Sequence, residues 1–301
     1  MRQTEERYIS LLTDFGFKRI FGSDINKDLL IDFLNSLFNG EQVVKNVTYL
    51  NSEHVGDVYA ERKAIFDVYC ENEHGEKFIV EMQNAYQTYF KDRSLYYATF
   101  PIREQAPKGD NWNFKLQHVY VVALLNNDMN EEAFSHESIN HDVGLLDKQT
   151  HKVFNNKLTF KYVEIARFNK DINELETNFD KWLYVLRNLS RLDNQPTYLR
   201  NEVFNRLFSQ AEIARFDKKE LKAYEDSLKA YRDIKNSLDT AKEEGRAEGL
   251  AEGLEKGLEK GRAEGASEKA LTIAREMLAL NISVDTIKKV TGLTDNEIHD
   301  L

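Results

Sequence analysis

Three side chains within residues 63–83, KAIFDVYCENEHGEKFIVEMQ, are of types that could act together: the carboxylates of Asp67 and Glu81 and the amide of Gln83. Two carboxylates held close together suit a hard divalent cation such as Mg²⁺, which commonly takes one or two acids plus waters and a substrate phosphate. An amide two residues beyond the second acid can orient a water by hydrogen bonding but brings no charge. The same residues also fit a plain edge hairpin whose acids stand in water, as most surface charges do.

Either reading requires the segment to be a β-hairpin. Two runs rich in Val, Ile, Phe and Tyr, 64–70 and 77–83, flank a polar stretch with a single glycine. If Glu73, His74 and Gly75 form a three-residue loop with the glycine left-handed, Cys70 pairs with Phe78 and Asp67 lies opposite Glu81. Side-chain alternation then places Gln83 on the face of Glu81 and turns Val80 and Met82 the other way. Directly opposed like charges destabilise a sheet. A bound cation would compensate.

The flanking sequence supplies the supporting elements. Apolar residues at helical spacing (Tyr8, Leu11, Leu12, Phe15, Phe17 and Phe21) predict a helix over 5–21, and a second follows at 24–38, with Asp24 as N-cap and Asn39-Gly40 as the stop. Asp14 and Lys18 lie on the first helix; Asp14 reads as a site acid or a solvated residue, Lys18 as a phosphate contact or a solvated cation. A strand at 43–49 precedes the hairpin. Residues 84–104 read as a helix that Pro101 bends or ends early, with Arg93 and Tyr97 one turn apart on one face. The continuous apolar run 118–125 reads as a strand buried on both faces. The order αα, ββ, α, β predicts an α/β core with a mixed sheet.

Further on, 130–158 is polar, and its His136, His141 and His151 lack metal-ligand spacing and read as surface histidines. A strand at 160–166 is expected, then helices over 172–237 with Trp182 as a core anchor. In 241–266 glycine recurs every fourth residue, from Gly245 to Gly265, amid residues that favour helix. Each glycine costs about 1 kcal/mol relative to Ala, so this is either a helix that packs its glycine stripe on another copy or a charged linker. Residues 268–301 predict three short helices, with Ser283 and the Thr294–Glu297 capping box as starts, closing a small core of Ile273, Met277, Ile282, Ile287, Val290, Leu293, Ile298 and Leu301.

Taken together, Asp67, the hairpin and Glu81-Met82-Gln83 resemble the PD-(D/E)XK nuclease core, with Gln83 where the usual pattern has lysine. Within that group the chain is similar to the Rpn-type recombination-promoting nucleases, or PD-(D/E)XK nuclease family transposases. The similarity is carried by 13–22 (TDFGFKRIFG) with LLIDFLNSLF after it, by 66–83, by 90–125 and by the glycine-rich charged tail. The resemblance implies a restriction-endonuclease-like α/β core with a mixed sheet flanked by helices, plus a helical C-terminal region. Its expected parts are a nuclease-like core (1–170), a helical subdomain (171–240), a Gly-repeat helix or linker (241–267) and a helix-turn-helix-like module (268–301).

The activity implied is Mg²⁺- or Mn²⁺-dependent hydrolysis of DNA phosphodiesters, associated with recombination or transposition. Asp67 and Glu81 would be the metal ligands, Asp14 would approach the metal through water, and Lys18, Arg93 and Tyr97 would lie near the site. Lys63 or Lys91 would be the source of the positive charge that the missing lysine leaves out. The rival is a silent DNA-binding or self-assembling protein with a degenerate core. A net charge of −10 argues against a broadly electropositive DNA surface. One cysteine excludes an internal disulfide, and the lack of a signal-like or membrane-spanning run predicts a cytoplasmic protein. DNA and a second copy of the chain are the expected partners.

Overall fold

The computed structural model describes residues 6–54, 64–107, 112–127, 129 and 131–301, except for the side chains of His54 and Ala64. Its strands are β1 (Val47–Tyr49), β2 (Glu53–His54), β3 (Ala64–Ile65), β4 (Val68–Asn72), β5 (Lys77–Gln83), β6 (Val119–Leu125), β7 (Asn140–Leu146) and β8 (Val153–Glu164). One mixed sheet runs β1-β4-β5-β6-β8-β7, while β2 and β3 pair separately. Strands β5, β6 and β8 are parallel neighbours and the outer pairings are antiparallel. The hairpin β4–β5 is therefore interior to the sheet, not an edge.

The chain divides into two compact units, Met1–Lys235 and Asn236–Leu301. In the first, helices α1 (Asp14–Phe21), α2 (Lys27–Phe38), α3 (Phe90–Glu104), α4 (Asn178–Asn188) and α5 (Glu202–Ala211) cover the sheet, joined by the start of α6 (Lys218–Ala279). Alternation splits the core into two layers. Val68, Cys70, Phe78, Val80, Tyr120, Val122 and Leu124 pack with residues of α1, α2, α4 and α5. Tyr69, Ile79, Val121, Ala123 and Leu125 pack with Phe90, Ala98 and Phe100 of α3. Burial on both faces is why β6 reads as an unbroken apolar run. Trp182 is wholly buried, and its indole N–H donates to Asp32 at 2.6 Å.

Several expected boundaries move, each because a long-range partner takes the backbone or a side chain. The first helix begins at Asp14 rather than residue 5. Upstream, Ile9 N–H donates to the Ala211 carbonyl and Ile213 N–H to the Arg7 carbonyl, both at 3.0 Å, so this stretch follows the end of α5 instead of coiling. Thr13 then caps α1, its hydroxyl accepting from Gly16 N–H at 3.1 Å. Position 16 must be glycine, since a Cβ there would lie 2.1 Å from the Ser10 carbonyl oxygen. The expected strand at 43–49 shortens to Val47–Tyr49 because the Asn35 amide holds both backbone groups of Val44 at 2.8 Å.

Helix α3 starts at Phe90, not residue 84, because the Asn84 side chain donates to the Leu12 carbonyl at 2.7 Å. It continues through Pro101, whose lost backbone bond is offset by packing of Ala98, Phe100 and Pro101 against the sheet. In place of a short strand at 160–166 stand β7 and the longer β8. His141 is buried rather than on the surface: its Nε2 lies 3.0 Å from Glu164, which also binds Arg167 at 2.6 Å, and its ring stacks on Phe134. His136 and His151 are exposed, as expected.

The second unit holds the rest of α6, then α7 (Val284–Thr291) and α8 (Asp295–His299). Ser283 is the N-cap residue of α7, and Thr294 with Glu297 forms the capping box of α8. Ala274, Ile287 and Ile298 make its buried core, with Met277, Leu278, Ile282, Leu293 and Leu301 around them. Val290, expected inside, is 61% exposed, and Ala274 rather than Ile273 provides the buried contact from α6. The glycine repeat lies within α6, and a Cβ at any glycine from Gly245 to Gly265 would meet no atom within 4 Å. Among the described residues no helix is long and apolar enough to cross a membrane.

Candidate active site

Gly75 adopts φ +74°, and its N–H donates to the Asn72 carbonyl at 3.0 Å, closing the three-residue loop Glu73-His74-Gly75. Cys70 stands opposite Phe78. That register, continued past the start of β4, brings Asp67 to Glu81. Two hydrogen bonds lock them: the Glu81 carboxylate accepts from Asp67 N–H at 3.1 Å, and the Asp67 carboxylate accepts from Met82 N–H at 2.8 Å. Each acid is aimed by the other's strand. Glu81 and Gln83 are buried, at 7% and 6% exposure, on the sheet face that α3 covers.

Burial first, and then the charge of Asp67, pushes the Glu81 carboxyl up to about 8. Desolvation likewise raises Asp67, against the opposing pull of the Met82 N–H and Lys18. Lys18 reaches the pair from α1, its ammonium 2.6 Å from Asp14 and 3.9 Å from Asp67. Desolvation would lower that ammonium, but the Asp14 hydrogen bond and the charges of Asp14, Asp67 and Glu81 outweigh it, and it is raised. Burial, followed by the charge of Glu81, raises the Tyr97 hydroxyl.

From α3 the Arg93 guanidinium donates from Nη2 to Gln83 Oε1 at 2.7 Å and from Nη1 to Gln87 Oε1 at 2.5 Å. It lies 5.0 Å from the Phe90 ring centroid and 5.5 Å from that of Tyr97. The Gln83 amide nitrogen donates to the Ala85 carbonyl at 2.5 Å. Asp67, Glu81, Gln83, Lys18, Arg93 and Tyr97 thus gather in one place. Asp14 is more peripheral: its side chain is 64% exposed and its near neighbour is Lys18 rather than the acid pair. Lys91 turns away to Glu131 at 2.5 Å, and Lys63 lies outside the described residues. Gln87, which shares Arg93 with Gln83, is the contributor that periodicity does not reveal, since it lies in the loop before α3.

Among the described residues no cluster of three His, Cys, Asp or Glu side chains could hold a metal ion. What exists is a pair. Within it, Asp67 Oδ2 and Glu81 Oε1 accept main-chain N–H groups, and Asp67 Oδ1 lies 3.9 Å from the Lys18 ammonium. Two desolvated carboxyls, one of them pushed toward its protonated form, suit a divalent ion that completes its shell with waters and phosphate.

Residues 11–241 match the family model of the PD-(D/E)XK nuclease family transposases, and residues 267–301 match that of the C-terminal HTH domain of the Rpn/YhgA-like nuclease family. No curated protein and no solved structure matches the chain.

Proposed function

Because the chain belongs to the PD-(D/E)XK nuclease family transposases, we propose that it is a metal-dependent DNA endonuclease acting in recombination or transposition. The observation that carries this reading is the reciprocal locking of buried Glu81 and half-buried Asp67 through main-chain N–H groups at 3.1 and 2.8 Å. Keeping both acids ionised in that placement is costly without a cation between them. Asp67 and Glu81 would hold Mg²⁺ or Mn²⁺, with Asp14 reaching it through water. A bound ion of this kind polarises the scissile phosphate and lowers the pKa of an attacking water.

The chain's own residues do the rest. Asp67 and Glu81 are fixed by main-chain N–H groups. Lys18, beside Asp67, offers a cation toward a phosphate of the entering strand. Residues 268–301 would provide additional DNA contact, and the glycine stripe of α6 would pair two copies of the chain. As a nuclease acting on DNA in recombination or transposition, the protein would work in the cytoplasm.

The test is cleavage of supercoiled plasmid with Mg²⁺ or Mn²⁺ by wild type, Asp67→Ala and Glu81→Ala, with an EDTA control. Metal-dependent cleavage abolished in both variants supports the assignment. An inert wild type that still binds DNA points to a silent binder, and equal cleavage by all three proteins removes the site altogether.

A further inference from the structure

In the usual motif a lysine occupies the place of Gln83, and an amide cannot supply its charge. In this structure Gln83 is held at both ends: one amide N–H donates to the Ala85 carbonyl and its Oε1 accepts from Arg93. The Oε1 contact is a charge-assisted hydrogen bond of 2.7 Å. It sets a guanidinium directly against the position where the cation is missing.

The guanidinium is held from three further sides, by Gln87 and by the Phe90 and Tyr97 rings. Its positive charge acts on both Asp67 and Glu81. Its hydrogen bonding is nevertheless incomplete, since the Nε–H is buried and meets no acceptor. Leaving a buried charged donor unpaired is unfavourable, and the side chain itself is only half-buried. A group whose sole task was to clamp α3 to the sheet would be expected to satisfy its donors. Lys91 is paired with Glu131 and Lys18 with Asp14, whereas Arg93 is hydrogen-bonded to Gln83 itself.

Resting on the nuclease reading above, we propose that Arg93 replaces the motif lysine: Gln83 is a positioning residue that holds it, and its guanidinium donates to a non-bridging oxygen of the scissile phosphate. No bond to Arg93 forms or breaks. It neutralises charge as the phosphate is attacked, a role for which the planar fork of arginine is well shaped.

The experiment uses the full chain as wild type, Asp67→Ala, Arg93→Met, Arg93→Lys, Gln83→Lys and the double variant Gln83→Lys/Arg93→Met. Single-turnover plasmid cleavage with Mn²⁺ is read beside DNA affinity by fluorescence anisotropy in Ca²⁺, and beside melting temperature. Arg93→Met should cut kcat by about 10²- to 10³-fold, the effect of losing one charge-stabilising donor, with DNA affinity and melting little changed. The double variant, with lysine back in the motif position, should recover much of that loss. A clamp lost from α3 would not be restored by a lysine on β5.

Full activity of Arg93→Met overturns the proposal, as does a double variant no faster than Arg93→Met when both melt like wild type. If Arg93→Met does not fold, Arg93→Lys takes its place: it should be slowed in kcat without a change in KM, and wild-type kcat overturns the proposal. The nuclease reading fails separately, through an inert wild type or an active Asp67→Ala. Cleavage that depends on Asp67 but is indifferent to Arg93 overturns only the assignment of Arg93.

Discussion

Replacing Glu81 by Gln should make the metal-free protein more stable at alkaline pH while removing the activity proposed for it. A carboxyl raised from its ordinary 4.5 to about 8 represents, at about 1.4 kcal/mol per pH unit, a ceiling of roughly 5 kcal/mol. The sign follows from proton counting. Between pH 4.5 and about 8 the folded chain retains a proton on Glu81 that the unfolded chain has released. The stabilisation is therefore complete below 4.5 and falls by about 1.4 kcal/mol per unit as pH rises through that window. Glutamine keeps the carbonyl that accepts from Asp67 N–H and carries no charge. It also relieves Asp67, half-buried beside it.

The assay is urea denaturation in EDTA at several pH values, followed by Trp fluorescence. Both tryptophans, Trp112 and Trp182, belong to the first compact unit, so the signal reports the unit that holds the site. The difference between Glu81→Gln and wild type should be near zero at pH 4.5 and grow to several kcal/mol by pH 8.5. Saturating Mn²⁺ should shrink it, because an ion held by the acids stabilises only the wild type. A difference that does not vary with pH, or a variant less stable than wild type at pH 8.5, would refute the electrostatic account of the pair.

Other perturbations test other levels of the structure. Gly16→Ala forces a Cβ to within 2.1 Å of the Ser10 carbonyl and should cost about 3 kcal/mol by overpacking, seen as a lower urea midpoint with an unchanged slope. His118, depressed to about 4 by burial and by the charge of Lys157, stays neutral in the folded chain while the unfolded chain protonates near 6.5. Stability contributed there should be lost as pH falls from 6.5 toward 4, and His118→Gln should flatten that part of the curve. Alanine at Gly249, Gly253 and Gly257, each with open space around it, should stabilise the isolated helix by about 1 kcal/mol per site and weaken self-association. An unchanged sedimentation profile would dismiss the glycine stripe as a contact.

Where the physics is local, the sequence alone was sufficient. A lone glycine able to take φ +74° specified the loop, and alternation carried the register outward from Cys70 and Phe78 to the two acids. Ser283 and the Thr294–Glu297 box marked α7 and α8 because a cap reaches only three residues. The tertiary structure alone decided what depends on distant partners. The helical spacing of Tyr8, Leu11 and Leu12 was overridden when Ile9 and Arg7 hydrogen-bonded to Ala211 and Ile213 at the end of α5, leaving α1 to start at Asp14. His141 looks like any polar-loop histidine until Glu164 and Phe134 close around it. The neighbourhood of the acid pair is of the same kind. Lys18 comes from α1 and Arg93 from α3, and the burial that raises Glu81 depends on the packing of helices far from it in the chain. Turn geometry and alternation act over a few residues, whereas desolvation and side-chain partnership require the folded core.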